Sequence, residues 1–134
     1  MTGIAEPTGT NAAMPVRKIL IVDDSPTNRH ALSEMLRKHG YQCSLAETGK
    51  EAIEKARTEK PDMILMDVVM PDMDGFQATR AITKDEQTKN IPVILCTSKN
   101  LETDRIWGLR QGARGYVQKP VDEKDLLAKI TALR

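Results

Sequence analysis

Apolar side chains fall along the chain in two alternating patterns, short unbroken runs and longer stretches in which they recur every three or four positions. The runs are KILIVD (18–23), YQCSLA (41–46), DMILMD (62–67), IPVILCT (91–97) and GYVQK (115–119). Each predicts a strand, being rich in aliphatic or β-branched residues and flanked by turn formers. The first, third and fourth carry no polar side chain at their centres, as strands covered on both faces require.

The intervening stretches predict helices. Ser25 before Pro26 reads as an N-cap with proline at the first helical position; Ala31, Leu32, Met35 and Leu36 supply an apolar stripe, and Gly40 a stop. Thr48 and Glu51 fit a capping box ahead of Ala52, Ile53 and Ala56. A third helix follows Asp74 and Gly75 as FQATRAIT, with Asp72 and Asp74 as turn and cap residues. A fourth, over about 100–111, is expected to bury Ile106 and Leu109, pack Trp107 partly beside them and stop at Gly112. Asp122 and Asp125 read as caps of a last helix through Leu126, Leu127 and Ile130.

Strand and helix thus alternate five times. Crossovers of this length demand a parallel sheet with helices on both faces, so the expected fold is an α/β three-layer sandwich around a five-stranded parallel sheet. The common doubly wound order for five strands is 2-1-3-4-5, with ligands beyond the carboxyl ends of the strands, at the switch between strands one and three. Residues 1–16 are rich in Thr, Gly, Ala and Pro and offer no periodic apolar face; they read as a flexible N-terminal tail, and 17–134 as one folded domain.

Composition narrows the function. At 134 residues the chain is too short for a catalytic domain with a cap domain. Its 20 basic and 19 acidic residues nearly cancel and neither sign is gathered into a block, which argues against nucleic acid and membrane partners. Cys43 and Cys96 lie in apolar segments without metal spacing and read as reduced thiols. With no signal peptide and no span-length apolar run, a cytoplasmic location is expected. His30 and His39 have no partner at ligand spacing and read as solvated.

The polar residues at the strand ends carry the candidate chemistry. Strand one ends on Asp23 and Asp24, strand three on Asp67, strand four on Thr97, strand five on Lys119 and Pro120. Two carboxylates about 4 Å apart at an effective dielectric of about 20 repel by about 4 kcal/mol, so such a cluster needs a cation. An all-oxygen site with room for water suits Mg²⁺, which commonly bridges carboxylates to phosphate oxygens. Asp67 is placed as a nucleophile toward phosphorus, with the Lys119 ammonium and Thr97 hydroxyl available for phosphoryl oxygens.

ILIVDDSPTNR, ILMDVVMPDMDGF, VILCTS and GARGYVQKP together resemble the receiver domain of two-component response regulators, the CheY-like branch of the flavodoxin-like folds, over residues 17–134. The resemblance implies that Asp67 is the phosphoacceptor, that Asp24, Asp67 and the Val69 backbone carbonyl bind Mg²⁺ with Asp23 helping through water, and that Thr97 and Lys119 contact the phosphoryl group. It implies a cis Lys119–Pro120 bond and Tyr116 as the aromatic that turns inward on phosphorylation, with Thr97 as its switch partner. By the same resemblance a histidine kinase is the phosphodonor, a downstream protein docks on the face of helix four, strand five and helix five, and the protein signals rather than turning over substrate. The chain resembles stand-alone receivers, more narrowly those of type IV pilus twitching-motility systems through GFQATRAITKD and ETDRIWGLRQGARGYVQKPVDE. A receiver module of a hybrid histidine kinase is the alternative. A haloacid-dehalogenase-like phosphatase fits worse, because it needs a second Asp two residues after its nucleophile and position 69 is Val.

Overall fold

The computed structural model describes residues 16–98 and 102–133. Their elements run β1 (Lys18–Val22), α1 (Pro26–Arg37), β2 (Gln42–Ala46), α2 (Gly49–Glu59), β3 (Met63–Asp67), α3 (Gly75–Lys84), β4 (Val93–Thr97), α4 (Glu102–Arg110), β5 (Gly115–Gln118) and α5 (Glu123–Ala132). Of the tail expected over 1–16, all but Val16 lies outside the described residues, as does the expected start of the fourth helix before 102.

All five strands are parallel, in the order β2-β1-β3-β4-β5. Because side chains alternate along a strand, each central strand feeds two cores. Leu20, Val22, Ile64, Met66, Val93 and Leu95 pack against Ala52 and Ala56 of α2 and Ala78 and Ile82 of α3. Ile19, Ile21, Leu65, Ile94 and Cys96 face the other way, against Leu32 and Leu36 of α1 and Leu126 and Ile130 of α5. Full burial of each such aliphatic side chain stabilises the fold by about 1.5–3 kcal/mol.

Caps set the helix starts. Ser25 Oγ accepts the Asn28 amide at 3.2 Å, and Asp122 Oδ2 the Asp125 amide at 3.0 Å. Asp125 itself is not a cap; its carboxylate takes the Lys129 ammonium one turn along, at 2.7 Å. At α2, Thr48 Oγ1 accepts from the Glu51 amide, but the Glu51 carboxylate reaches past the cap to the Glu47 amide at 2.8 Å, so the capping box is only half formed. The closed box belongs to Asp74 and Gln77 at α3. Gly40 ends the first helical unit with φ +91°.

Helix α4 departs from the expected packing. Ile106, Trp107 and Leu109 are 45, 49 and 48% exposed, and the inward face is made by Gly108 and Asp104, with Gln111 just beyond the helix. The cause is steric. A Cβ at Gly108 would stand 2.4 Å from Leu95 Cδ1 and 3.3 Å from Phe76 Cε1, so the bare backbone seats on the sheet and turns the large side chains outward.

Gly75 is another close approach, and it bears on the end of β3. A Cβ there would lie 2.2 Å from the Asp67 carbonyl oxygen and 2.9 Å from Val68 Cα, backbone atoms that cannot swing aside. Gly75→Ala should therefore lose about 1–3 kcal/mol, read as a lowered urea midpoint; an unchanged midpoint would mean that the β3–α3 turn yields freely.

Candidate functional site

β1 lies between β2 and β3, so the chain leaves it in opposite directions and a crevice opens at the carboxyl ends of β1 and β3. Asp23, just past β1, and Asp67, the last residue of β3, are both buried, and Asp24 beside them is exposed. Each of the three offers a carboxylate oxygen within 4.8 Å of the others. Lys119 stands between the two buried ones, its Nζ 2.8 Å from Asp23 Oδ2 and 3.0 Å from Asp67 Oδ1.

Backbone pairing delivers these groups. The Lys119 amide donates to the Thr97 carbonyl at 2.7 Å, carrying the β4–β5 ladder one residue past β5, and the following Lys119–Pro120 bond is cis, as the resemblance implied. Thr97 is buried at the end of β4, with Tyr116 half-buried two residues before Gln118, its partner across the ladder. Asp23 Oδ1 accepts the Ser25 amide at 2.9 Å, which fixes the turn into α1. Val69, two residues past Asp67 in the β3–α3 turn, has a 57% exposed side chain, so its backbone rather than its side chain is the part suited to the site.

Charge and burial oppose each other here. Burial raises the Asp67 pKa; the Lys119 bond pulls it back, while Asp23 and Asp24 push it further up. Burial works against the Lys119 ammonium, but its bonds to Asp23 and Asp67 outweigh that and hold its pKa above the usual value. Burial pushes the neighbouring Cys96 thiol up to about 12, which leaves it an inert packing group. The Tyr116 phenol is raised by burial and by Asp104, against a hydrogen bond with Thr97.

The Lys119 ammonium reaches two of the three carboxylates, so the cluster retains acceptor capacity on the solvent side at Asp24. That all-oxygen, half-open donor set fits a hard cation such as Mg²⁺, and not a thiolate- or imidazole-seeking metal. Cys43 is half-buried and Cys96 buried, both as free thiols.

Two contacts were not legible in the sequence. Arg29, one turn into α1, donates from Nη1 to the Asp23 carbonyl at 2.7 Å with its side chain only 13% exposed. Helical side chains lean toward the N-terminus, and that geometry is the signal that could have found it. His39 is not merely solvated either: its Nε2 meets the Glu123 carboxylate at the start of α5, beside Lys38. His30 is exposed, as expected.

The sequence matches the family model for the response regulator receiver domain over residues 19–131. It is 58% identical over 116 residues to protein PilH of Pseudomonas aeruginosa, across 87% of this chain and 96% of that protein. Among solved structures, chemotaxis protein CheY4 of Vibrio cholerae superposes with a TM-score of 0.83 at 33% identity, over 89% of this chain and 99% of that one. The receiver domain of a sensor histidine kinase from Pseudomonas aeruginosa PAO1, with a magnesium ion coordinated in its active site cleft, superposes with a TM-score of 0.80 at 34% identity, over 87% of this chain and 96% of that one.

Proposed function

The chain belongs to the response regulator receiver family, and from that premise we propose that it is a Mg²⁺-dependent phosphorylation switch, modified on Asp67 by a partner histidine kinase. The observation that carries the reading is the Lys119 ammonium held between two buried carboxylates, Asp23 and Asp67, at the open end of the sheet. In the transfer, a carboxylate oxygen of Asp67 forms a bond to phosphorus as the bond from phosphorus to the kinase imidazole nitrogen breaks. The departing imidazole keeps the electron pair. Lys119 and the Thr97 hydroxyl are the donors for the phosphoryl oxygens, and Asp24, Asp67 and the Val69 carbonyl would hold the metal, with Asp23 acting through water. When bound, Mg²⁺ supplies charge neutralisation between the carboxylates and the phosphoryl group. Each phosphorylation stops at one covalent group, so the role is signalling, not turnover of a metabolite.

Acetyl phosphate tests this without a kinase. With Mg²⁺, intact mass should show one added phosphoryl group, and chelation should remove it; labelling that ignores Mg²⁺ would overturn the metal's role.

The output face proposed is that of α4, β5 and α5. Support comes from its exposed Leu109 beside Arg105 and Arg114, with Tyr116 and Gln118 in the same groove. A phosphoryl group adds about two negative charges and three acceptor oxygens, enough to draw Thr97 toward it and free space for Tyr116. Beryllofluoride with Mg²⁺ should therefore shift the amide resonances of Arg105, Tyr116 and Gln118 while sparing α2. Shifts confined to the Asp67 pocket would count against this face. The 58% identity to PilH supports a place in type IV pilus motility signalling. The proposal places the protein in the cytoplasm and takes residues 17–134 as the receiver, within which the family match runs over 19–131. None of the helices among the described residues is long and apolar enough to cross a membrane.

A further inference from the structure

Asp23 is held on nearly every side. Its amide donates to the Ala46 carbonyl at 3.1 Å, one carboxylate oxygen takes the Ser25 amide, and the other takes Lys119. Its own carbonyl lies past the last residue of β1, beyond the end of the strand. That carbonyl belongs to the peptide joining Asp23 to Asp24, and rotation of this peptide about its flanking bonds swings the Asp24 side chain. Backbone carbonyls in covered positions require a donor, and here the donor is a charged one from another element, Arg29 Nη1 at 2.7 Å.

The other end of the guanidinium is tied as well. Arg29 Nη2 lies 3.6 Å from Glu47 Oε1, and the Glu47 amide is bonded to the Glu51 carboxylate of α2. The arginine thus spans from the β2–α2 loop to the β1–α1 turn, planar and mostly covered. Lysine would copy this poorly, since the Asp23 carbonyl and the Glu47 carboxylate are met by two separate nitrogens of one planar fork, and an ammonium offers a single nitrogen.

We propose that Arg29 is a positioning residue for the cation site: by fixing the Asp23–Asp24 peptide it keeps the exposed Asp24 carboxylate turned toward Asp23 and Asp67. The inference rests on the reading of that cluster as a Mg²⁺ site. It competes with a purely electrostatic view, in which the Arg29 charge repels the metal and its loss would tighten binding. It also competes with a purely structural view, in which Arg29 only ties α1 to the sheet.

Mg²⁺ titration of the folded full chain by calorimetry, with thermal melting of each metal-free variant alongside, separates the three. Arg29→Lys and Arg29→Gln should both weaken Mg²⁺ about tenfold, the scale on which partners that orient metal ligands act. Glu47→Gln, which loosens only the exposed outer contact, should change affinity less than about twofold. In an Asp24→Asn background the Arg29→Lys effect should vanish, because the group being oriented no longer carries the charge. Tighter binding in Arg29→Gln overturns the proposal in favour of simple repulsion. Unchanged affinity in both Arg29 variants overturns it, and so does an Arg29→Lys effect that persists undiminished with Asn at position 24, a comparison that stands even if melting temperatures fall. A wild-type chain that binds no Mg²⁺ removes the underlying site reading, and this proposal with it; wild-type binding with insensitive variants removes the proposal alone.

Discussion

Asp67→Asn should reduce phosphoryl incorporation from acetyl phosphate to background, a loss of at least about a hundredfold, equivalent to about 2.7 kcal/mol of barrier. The amide keeps the shape of the carboxylate and its place at the end of β3, but it lacks the anionic oxygen that attacks phosphorus. The same change should make the metal-free protein more stable. Burial raises the Asp67 pKa, so its contribution to stability is present below the unfolded value of 3.8 and is lost as pH rises through the folded value. At neutral pH the wild type therefore carries an ionised carboxylate that the fold disfavours, and the neutral amide removes that cost. Mg²⁺ should raise the wild-type melting temperature and raise the variant's less. Asp72→Asn is the control: Asp72 is exposed, with φ +68°, which Asn tolerates, and both labelling and Mg²⁺ response should be unchanged. Wild-type labelling in Asp67→Asn would move the phosphoacceptor elsewhere.

The other large effect is expected at Lys119. Its Nζ bridges Asp23 and Asp67, whose side chains are 2 and 7% exposed, so Lys119→Met leaves two buried carboxylates without their cation. Removing one partner of a buried ion pair costs about 3–5 kcal/mol, and the Mg²⁺-free variant should lose stability on that scale. The sign of the pH dependence follows from both groups. The folded Lys119 pKa is raised, so its contribution is full below the unfolded value of 10.5 and constant through the neutral range. The Asp67 penalty instead disappears in acid, when the carboxyl is protonated. The deficit of Lys119→Met should thus be largest near neutral pH, shrink as the solution is acidified, and shrink again when Mg²⁺ replaces the lost charge. Urea midpoints from about pH 4 to about pH 8, with and without Mg²⁺, measure it. A deficit independent of pH would point to lost packing of the lysine stem rather than to charge.

What the sequence made legible follows from which contacts are local or periodic. The strands could be read because β1, β3 and β4 are buried on both faces and so appear as unbroken apolar runs; their abrupt ends at Asp23, Asp67 and Thr97 marked the site. Caps at Ser25, Asp74 and Asp122 were readable because each acts over three residues. Three features escaped. The orientation of α4 was set by one absent side chain, at Gly108, that outweighed three apolar ones. Glu51 and Arg29 chose backbone partners outside their own helices. His39 met Glu123 from a segment 84 positions away, a separation over which no sequence period reports.

Helix α4 is seated by backbone, and that has an evolutionary consequence. A helix anchored through its own large side chains cannot change them without weakening the core. Here the anchor is Gly108 against Leu95, and Ile106, Trp107 and Leu109, each about half exposed, stand outside both cores. Surface substitutions away from structural contacts usually change stability by less than about 0.5 kcal/mol. Duplicated copies of such a chain can therefore redraw the outer surface of α4, and acquire partners that ignore one another, while the sheet and its acidic cluster stay as they are.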